Sequence, residues 1–309
     1  MKQISRRHFI EAAAAGALSA SVLPALSEAG EKPNKKPLYI AAYDTEAAEC
    51  LAAVAKIVDV HKRYEMPATF FIVGKTLLAN PGEYRRLLTN PLFEVASHTY
   101  SHGLLRDHPF GPPAVSDEEK RKEIFKSKTV IENILRQRCA GLRTPYGYDN
   151  GLKGDPNVLG LIKEAGYDYV SSLLWGPDCS QPALLADPFN YAADGFGELW
   201  ELPGHGWHEN LLTNNNGWGP RRLALWPPIM PEAIPDKLVS TPREEFEVYK
   251  VFIEKARKDG NLFVSFIWHP WSLNKFDPEM KMLELMFDYV RGLGLETGTF
   301  GQLYRRVTG

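Results

Sequence analysis

The chain has 309 residues, of which 44% are hydrophobic and 24% are charged, a balance typical of a globular domain with a well-buried core. The formal net charge is −2 and no long basic run occurs, which argues against nucleic acid as a partner. All seven tryptophans lie between Trp175 and Trp271, so aromatic side chains are concentrated late in the chain.

The first residues predict a targeting segment rather than a part of the fold. Two adjacent arginines in Ser5–Ile10 precede an alanine-rich run that is too short and too weakly apolar to span a membrane. Together they resemble a twin-arginine export signal over residues 1–29, followed by a flexible linker over 30–37. We therefore expect the twin-arginine translocation machinery as a partner, a periplasmic or extracellular location and no stable membrane anchor.

From residue 38 onward, strand-like and helix-like segments alternate. The strand-like segments, which are apolar and short, are 38–43, 68–74, 93–97, 141–147, 167–174, 262–268 and 295–297. The segments with helical periodicity are 47–64, 82–88, 116–138, 157–165, 241–258, 277–291 and 300–306. This alternation predicts parallel pairing in βαβ units and therefore an α/β fold.

Residues 176–236 interrupt the alternation. They are rich in Pro, Gly, Asn and Trp, and a segment this long without regular periodicity is usually functional or mobile. Two interpretations stay open, namely loops over the mouth of a site and a surface insertion with a small core of its own.

The three cysteines show no metal-like spacing. Cys50 falls within the apolar positions of a predicted helix and is expected in the core. Pairing of Cys139 with Cys179 stays open, because the sequence alone cannot establish a disulfide.

Two histidines directly follow the strand-like segment 93–97. A spacing of four, as in His98 and His102, would place both side chains on one face of a single helical turn. Two imidazoles that point in the same direction can both bind one divalent transition metal. The protease pattern H-E-x-x-H is excluded, since Thr99 stands where its glutamate would be.

Further polar groups stand at the ends of other strand-like segments. Asp44 and Glu46 end the first segment, and His269 follows the segment that ends at Trp268. Catalytic groups at several strand ends indicate an α/β enzyme with its site at the carboxyl edge of a sheet or barrel. A third metal ligand is expected from one of the two acids.

These motifs occur in an order that resembles a known family. In chain order they are the acid-bearing strand end, Ala68–Phe71, Ser97–His102, Arg143–Gly147 and Ile267–Trp271. The chain resembles the NodB-type polysaccharide deacetylases, carbohydrate esterase family 4. The resemblance implies a distorted, incomplete (β/α) barrel in a single catalytic domain over 38–309. It also implies metal-dependent removal of N- or O-linked acetyl groups from a glycan, with Zn²⁺ as the expected ion and Co²⁺ or Ni²⁺ as alternatives.

The resemblance also implies roles for individual residues. The expected metal ligands are Glu46, His98 and His102. The expected catalytic residues are Asp44 as general base, Arg143 as the group that orients this base, Tyr146 as the site of an oxyanion-binding backbone N–H, and His269 as general acid.

Two departures from the family pattern leave alternatives open. The family usually has two adjacent aspartates, whereas Thr45 here separates Asp44 from Glu46, so an exchange of their roles as base and ligand remains open. The acid that would tune the general-acid histidine is also not evident. The family has an aspartate near a tryptophan at this point, for which Trp175 and Asp178 are the nearest candidates, and Asp168 is another candidate acid.

Three functions compete at this point. The leading one is a deacetylase of an acetylated, exported or cell-envelope glycan. The second is a small-molecule amidohydrolase with the same metal chemistry, which would cleave a non-peptide C–N bond. The third is a catalytically silent carbohydrate-binding barrel, against which the presence of Asp44, Arg143 and His269 argues. His205 and His208, in a Gly-rich stretch, are expected to bond to backbone or solvent rather than to a metal.

Overall fold

The fold is organised by one mostly parallel β-sheet. The computed structural model describes residues 36–207, 209–212, 231–235 and 237–309. The expected export signal, most of the expected linker and His208 lie outside these residues.

The elements follow the predicted alternation closely. The strands of the nine-stranded sheet are β1 (Leu38–Thr45), β2 (Ala68–Ile72), β3 (Phe93–Ser97), β4 (Gly141–Tyr148), β5 (Tyr169–Leu173), β6 (Phe189–Tyr191), β7 (Phe196–Glu201), β8 (Phe263–Trp268) and β9 (Thr297–Gly298). The α-helices of the described residues are α1 (Cys50–Tyr64), α2 (Gly74–Ala79), α3 (Pro81–Leu88), α4 (Asp117–Leu135), α5 (Pro156–Glu164), α6 (Pro242–Asp259), α7 (Pro270–Phe276), α8 (Lys281–Gly292) and α9 (Phe300–Thr308).

The sheet is curved around an interior but is not closed by strand pairing. Its order is β6-β7-β5-β4-β3-β2-β1-β8, with β9 also paired to β1, and every pair except β6–β7 is parallel. The predicted α/β class and the incomplete (β/α) barrel are therefore confirmed.

The chain after β7 partly fills the gap between the two ends of the barrel. The amide of Leu202 donates to Val170 O of β5 at 2.8 Å, and the hydroxyl of Ser265 on β8 donates to Pro203 O at 3.0 Å. A Cβ on Gly204 would lie 2.7–2.8 Å from side-chain atoms on both sides of the interior. Any side chain here would require Leu174 or Ile267 to move.

Alternate residues of each strand face two different cores. On β1, Tyr39 and Tyr43 pack under the outer helices, whereas Ile40 and Ala42 pack in the barrel interior. Because side chains alternate along a strand, Asp44 continues the interior row. By the same alternation, the interior-facing residues at the carboxyl ends of the other strands lie near the mouth of the barrel.

The structure departs from the expected elements in four places. Helices α2 and α7 are additional, and the helix expected from residue 277 begins only at Lys281. Short helices such as α7 carry little periodicity to detect, although Pro270 at its first position is a regular start signal. Residues 176–236 are also not all loop, since β6 and β7 extend the sheet beside β5; their Gly, Asn and Glu residues obscure strand alternation.

The cysteines do not pair. All three are free and buried. Cys139 precedes β4 and Cys179 follows β5, so the two lie at opposite edges of a parallel strand pair. Within the described residues, no helix combines the length and apolar character that a membrane span requires.

Gly141→Ala should destabilise the fold. A Cβ at the start of β4 would lie 2.0–2.3 Å from the ring of Tyr169, which is fully buried and cannot swing into solvent. We expect a loss of about 1–3 kcal/mol from overpacking, measured by thermal and denaturant unfolding.

Gly160→Ala in α5 is the matched control. The nearest side-chain atom would be 3.7 Å away, and alanine is the better helix former by about 1 kcal/mol. Unfolding curves that coincide for the two variants would contradict the close approach at Gly141.

Candidate active site

The expected site residues meet at the carboxyl edge of the sheet. Asp44 and Glu46 come from the end of β1, His98 follows β3, and His269 follows β8. Because parallel strands end at the same edge, groups that are far apart in sequence become neighbours here. The D-x-E spacing keeps both acids on the interior side, since positions two apart on a strand share a face.

The carboxylate of Glu46 lies at the centre of this group. Its Oε1 atom is 2.9 Å from Nε2 of His102, 3.3 Å from Nε2 of His98 and 3.2 Å from Nε2 of His269. One ligand atom each from Glu46, His98 and His102 lies within 4.8 Å of the others. The structure thus brings together the three residues expected to bind metal.

The two histidines do not share a helical turn, so that part of the expectation is wrong. They lie in a loop after β3, with Thr99 at φ 61° and His102 at φ 64°. These left-handed residues turn the chain back on itself, so that the two imidazole centroids are 5.0 Å apart. A tight loop therefore produces the convergence that a helix was expected to give.

The donor set fits a divalent ion. Atoms held about 2.1 Å from a tetrahedral zinc ion lie roughly 3.4 Å from one another, close to the Glu46–imidazole distances. Nε2 of His102 lies 2.9 Å from Oε1 of Glu46, a separation that allows both atoms to face one ion. Nδ1 of His98 lies 3.0 Å from Arg143 O, which leaves Nε2 for a metal.

Asp44 has a different environment from Glu46. Its Oδ2 atom accepts a hydrogen bond from Nε of Arg143 at 2.9 Å and lies 3.9 Å from Nε2 of His98. Nη1 of the same guanidinium donates to Ser171 at 2.9 Å. The Asp44 side chain is 2% exposed and that of Glu46 is 21% exposed. This contrast favours Glu46 as the ligand and Asp44 as the oriented base.

The partner of His269 is a residue that the sequence did not reveal. Oε2 of Glu209 lies 3.0 Å from Nδ1 of His269 and accepts the backbone N–H of His269 at 3.0 Å. Glu209 is fully buried and 60 positions away in the chain. No motif in the sequence marks it.

The candidates proposed for that partner are therefore wrong. Asp168 precedes β5 at the opposite edge of the sheet, where it pairs with Arg138. The indole N–H of Trp175 donates to Tyr146 O at 2.7 Å. Asp178 lies in the turn after β5, and the acid that contacts the histidine is supplied from the chain after β7 instead.

The two acids around His269 control its protonation. Burial alone would lower the pKa of this imidazole, but the carboxylates of Glu46 and Glu209 outweigh burial and raise the pKa well above 6.5. The charged, proton-donating form of His269 is thereby favoured. Such a perturbed pKa in a cleft is typical of a catalytic group.

Tyr146 lies beside this group at a break in the sheet. Pairing of β4 with β5 shifts register between Arg143 and Tyr148, and Tyr146 and Gly147 both have positive φ, at 64° and 67°. The Tyr146 ring is 37% exposed, and its centroid is 6.1 Å from that of His102. Strained backbone of this kind often occurs at functional sites.

His205 lies outside the site. Its Nε2 is 2.9 Å from Ala186 O and its Nδ1 accepts the amide of Ser265 at 3.2 Å, so it bonds to backbone as expected. His208 lies outside the described residues.

Comparison with known proteins agrees with the fold and the motifs. Residues 31–170 match the family model described as polysaccharide deacetylase. A peptidoglycan-N-acetylglucosamine deacetylase of Bacillus cereus is 30% identical over 117 residues, which are 37% of this chain and 40% of that protein. The match thus spans less than half of that relative.

Two solved structures have a similar fold. A probable polysaccharide deacetylase from Pseudomonas aeruginosa PAO1 is 14% identical with a TM-score of 0.62, covering 88% of this chain and 91% of that one. The Puue allantoinase is 13% identical with a TM-score of 0.61, covering 93% of this chain and 97% of that one. At this level of identity the likeness concerns the fold alone. Together with the family match over residues 31–170, it confirms the resemblance of the motifs to the NodB-type polysaccharide deacetylases.

Proposed function

We propose that this protein is a metal-dependent hydrolase that removes acetyl groups from an exported or cell-envelope glycan. The observation that carries the proposal is the convergence of Glu46, His98 and His102 within 4.8 Å of one another, with Asp44 and His269 beside them. The Bacillus cereus relative is named for deacetylation of peptidoglycan N-acetylglucosamine, which supports an N-acetylated glycan as substrate. Export by a twin-arginine signal remains part of this proposal.

The proposed metal ligands are Glu46, His98 and His102. A divalent ion, most simply Zn²⁺, supplies a Lewis acid for the scissile carbonyl when it is bound there. His98 is oriented for this role by Arg143 O, which fixes its ring through Nδ1.

The proposed reaction is hydrolysis of the acetamide. Asp44 takes a proton from the water that attacks the acyl carbon, and Arg143 keeps this carboxylate oriented and ionised. His269 donates a proton to the departing nitrogen as the C–N bond breaks, so the products are acetate and the free amine. Glu209 holds the imidazole through Nδ1, so Nε2 faces the reacting atoms. The backbone N–H of Tyr146 would stabilise the oxyanion.

Ligand and base can be separated by two isosteric substitutions. We expect the full-length protein to retain a divalent metal after dialysis and to release acetate from N-acetylated peptidoglycan oligosaccharides. Asp44→Asn should keep the metal and lose turnover, whereas Glu46→Gln should weaken metal affinity. His98→Ala and His102→Ala should abolish binding without unfolding the chain. Elemental analysis and acetate release measure these effects.

Three results would change the proposal. Metal loss in Asp44→Asn but not in Glu46→Gln would exchange the two roles. Turnover of small cyclic or linear amides without any release of acetate from glycans would identify a small-molecule amidohydrolase. Undiminished acetate release after complete removal of metal would exclude metal dependence.

His269→Ala should discriminate between leaving groups. An amine leaving group needs a proton, so the rate on an acetamide should fall by about two to four orders of magnitude. An activated aryl acetate releases a stable phenolate and should be affected far less. Equal losses of kcat/KM on both substrates would remove His269 from the role of general acid.

The partner of His269 should set the alkaline limb of the pH profile. A general acid is lost as pH rises through its pKa, so the Glu209 carboxylate, which raises the pKa of His269, extends activity to higher pH. Glu209→Gln removes one of the charges that raise it, and the alkaline limb of kcat/KM should move down by about one pH unit or more.

A second buried glutamate provides the control. Glu201 on β7 bonds Ser172 and Tyr191 instead of the site. Glu201→Gln should lower the unfolding temperature and leave the alkaline limb in place. If the alkaline limb of the kcat/KM profile stays in place in Glu209→Gln as well, this carboxylate has only a structural role.

A further inference from the structure

We propose that Glu123 is a positioning residue for the metal centre. It lies on α4, holds the loop that carries His98 and His102, and so determines where His102 stands. The inference rests on the proposed metal site and adds a residue that belongs to none of the motifs.

The carboxylate of Glu123 binds both sides of the second histidine. Its Oε2 accepts the backbone N–H of Ser101 at 2.7 Å and that of Gly103 at 3.3 Å, the two residues that flank His102. Its Oε1 accepts the hydroxyl of Ser101. The side chain is 4% exposed, so these bonds form where few water molecules can replace them. One carboxylate therefore fixes the backbone immediately before and after a ligand.

The opposite side of the loop is held by α2. The amides of Gly74 and Lys75 donate to Thr99 O at 3.0 Å and to Tyr100 O at 2.8 Å. A Cβ on Gly74 would lie 2.9 Å from the Tyr100 ring and 3.3 Å from its Cα, so the two backbones are in close contact. Donors from α2 thus satisfy loop carbonyls, while the acceptor on α4 satisfies loop amides.

The two histidines depend on this arrangement to different degrees. His98 is fixed independently, because its amide donates to Ile72 O at 3.0 Å and its Nδ1 is 3.0 Å from Arg143 O. His102 is 29% exposed and has φ 64°, and the contact described for its ring nitrogens is that of Nε2 with Glu46 at 2.9 Å. A non-glycine residue in the left-handed region persists only where its surroundings hold it there. Loss of Glu123 should therefore displace His102 rather than His98.

The same helix offers a matched control. Glu132, also on α4, accepts the amide of Cys139 at 3.0 Å and pairs with Lys128 at 2.9 Å. It holds the chain before β4, at the edge of the sheet opposite the site. Its removal costs a comparable backbone contact without touching the histidine loop.

The test compares Glu123→Ala, the isosteric Glu123→Gln and Glu132→Ala in the full-length protein. Zn²⁺ affinity is measured by competition with a chelator, and Co²⁺ absorption reports ligand geometry. Hydrogen–deuterium exchange of residues 98–103 in the metal-free protein reports the loop itself. We expect Glu123→Ala to weaken Zn²⁺ affinity by about 10- to 100-fold, to change the Co²⁺ spectrum and to speed exchange. Glu123→Gln keeps one acceptor oxygen and should lose less Zn²⁺ affinity than Glu123→Ala. Glu132→Ala should lower only the unfolding temperature.

The outcomes separate this inference from the proposed function. If the wild-type protein binds Zn²⁺ and both Glu123 variants keep its affinity within about threefold, the inference is overturned while the metal site stands. Unchanged exchange of the loop in Glu123→Ala overturns it whatever the metal does. Absence of Zn²⁺ and Co²⁺ binding by the wild-type protein overturns the proposed metal function, and with it any role of Glu123 toward a metal.

Discussion

The alternation of side chains along parallel strands is the constraint on which this site depends. β1 is flanked by β2 and β8, and its alternate residues are committed to the outer helices or to the barrel interior. Asp44 and Glu46 continue the interior row, so neither acid can turn outward without exposing the tyrosines of the outer row. The same parity brings His269 to the mouth from β8. The active-site arrangement is thus a consequence of how the apolar residues pack.

Charge burial imposes the second requirement. A carboxylate or an imidazolium in a low-dielectric interior is costly unless an opposite charge or hydrogen-bond donors face it. Asp44 is paired with Arg143, and His269 with Glu209. Each pair sets an opposite charge against a buried ionisable group. The barrel mouth thereby holds a paired acid and a paired histidine within a few side chains of each other.

Local motifs predicted the site well where the functional residues lie directly at the ends of strands. The strand ends, the histidine pair and the Arg-Thr-Pro-Tyr stretch after Leu142 predicted which residues would meet, and the order of elements predicted an α/β barrel. Predictions failed where contacts from several segments determine the conformation of one loop or strand. The histidine loop is shaped by α2 and α4 together, so a spacing of four suggested a helix that does not form. Strands β6 and β7 contain too many polar residues for alternation to be visible in the sequence.

Periodicity and short motifs along the chain were enough to predict the fold class, the family resemblance and the set of groups gathered at one sheet edge. Three features became visible only in three dimensions: the acid that faces the imidazoles, the carboxylate that supports His269 and the contacts that hold the histidine loop. Glu209 and Glu123 act across long stretches of chain, from elements with no motif of their own. Contacts of this kind are set by the packing of whole elements in three dimensions, and one sequence read along its length contains no local signal for them.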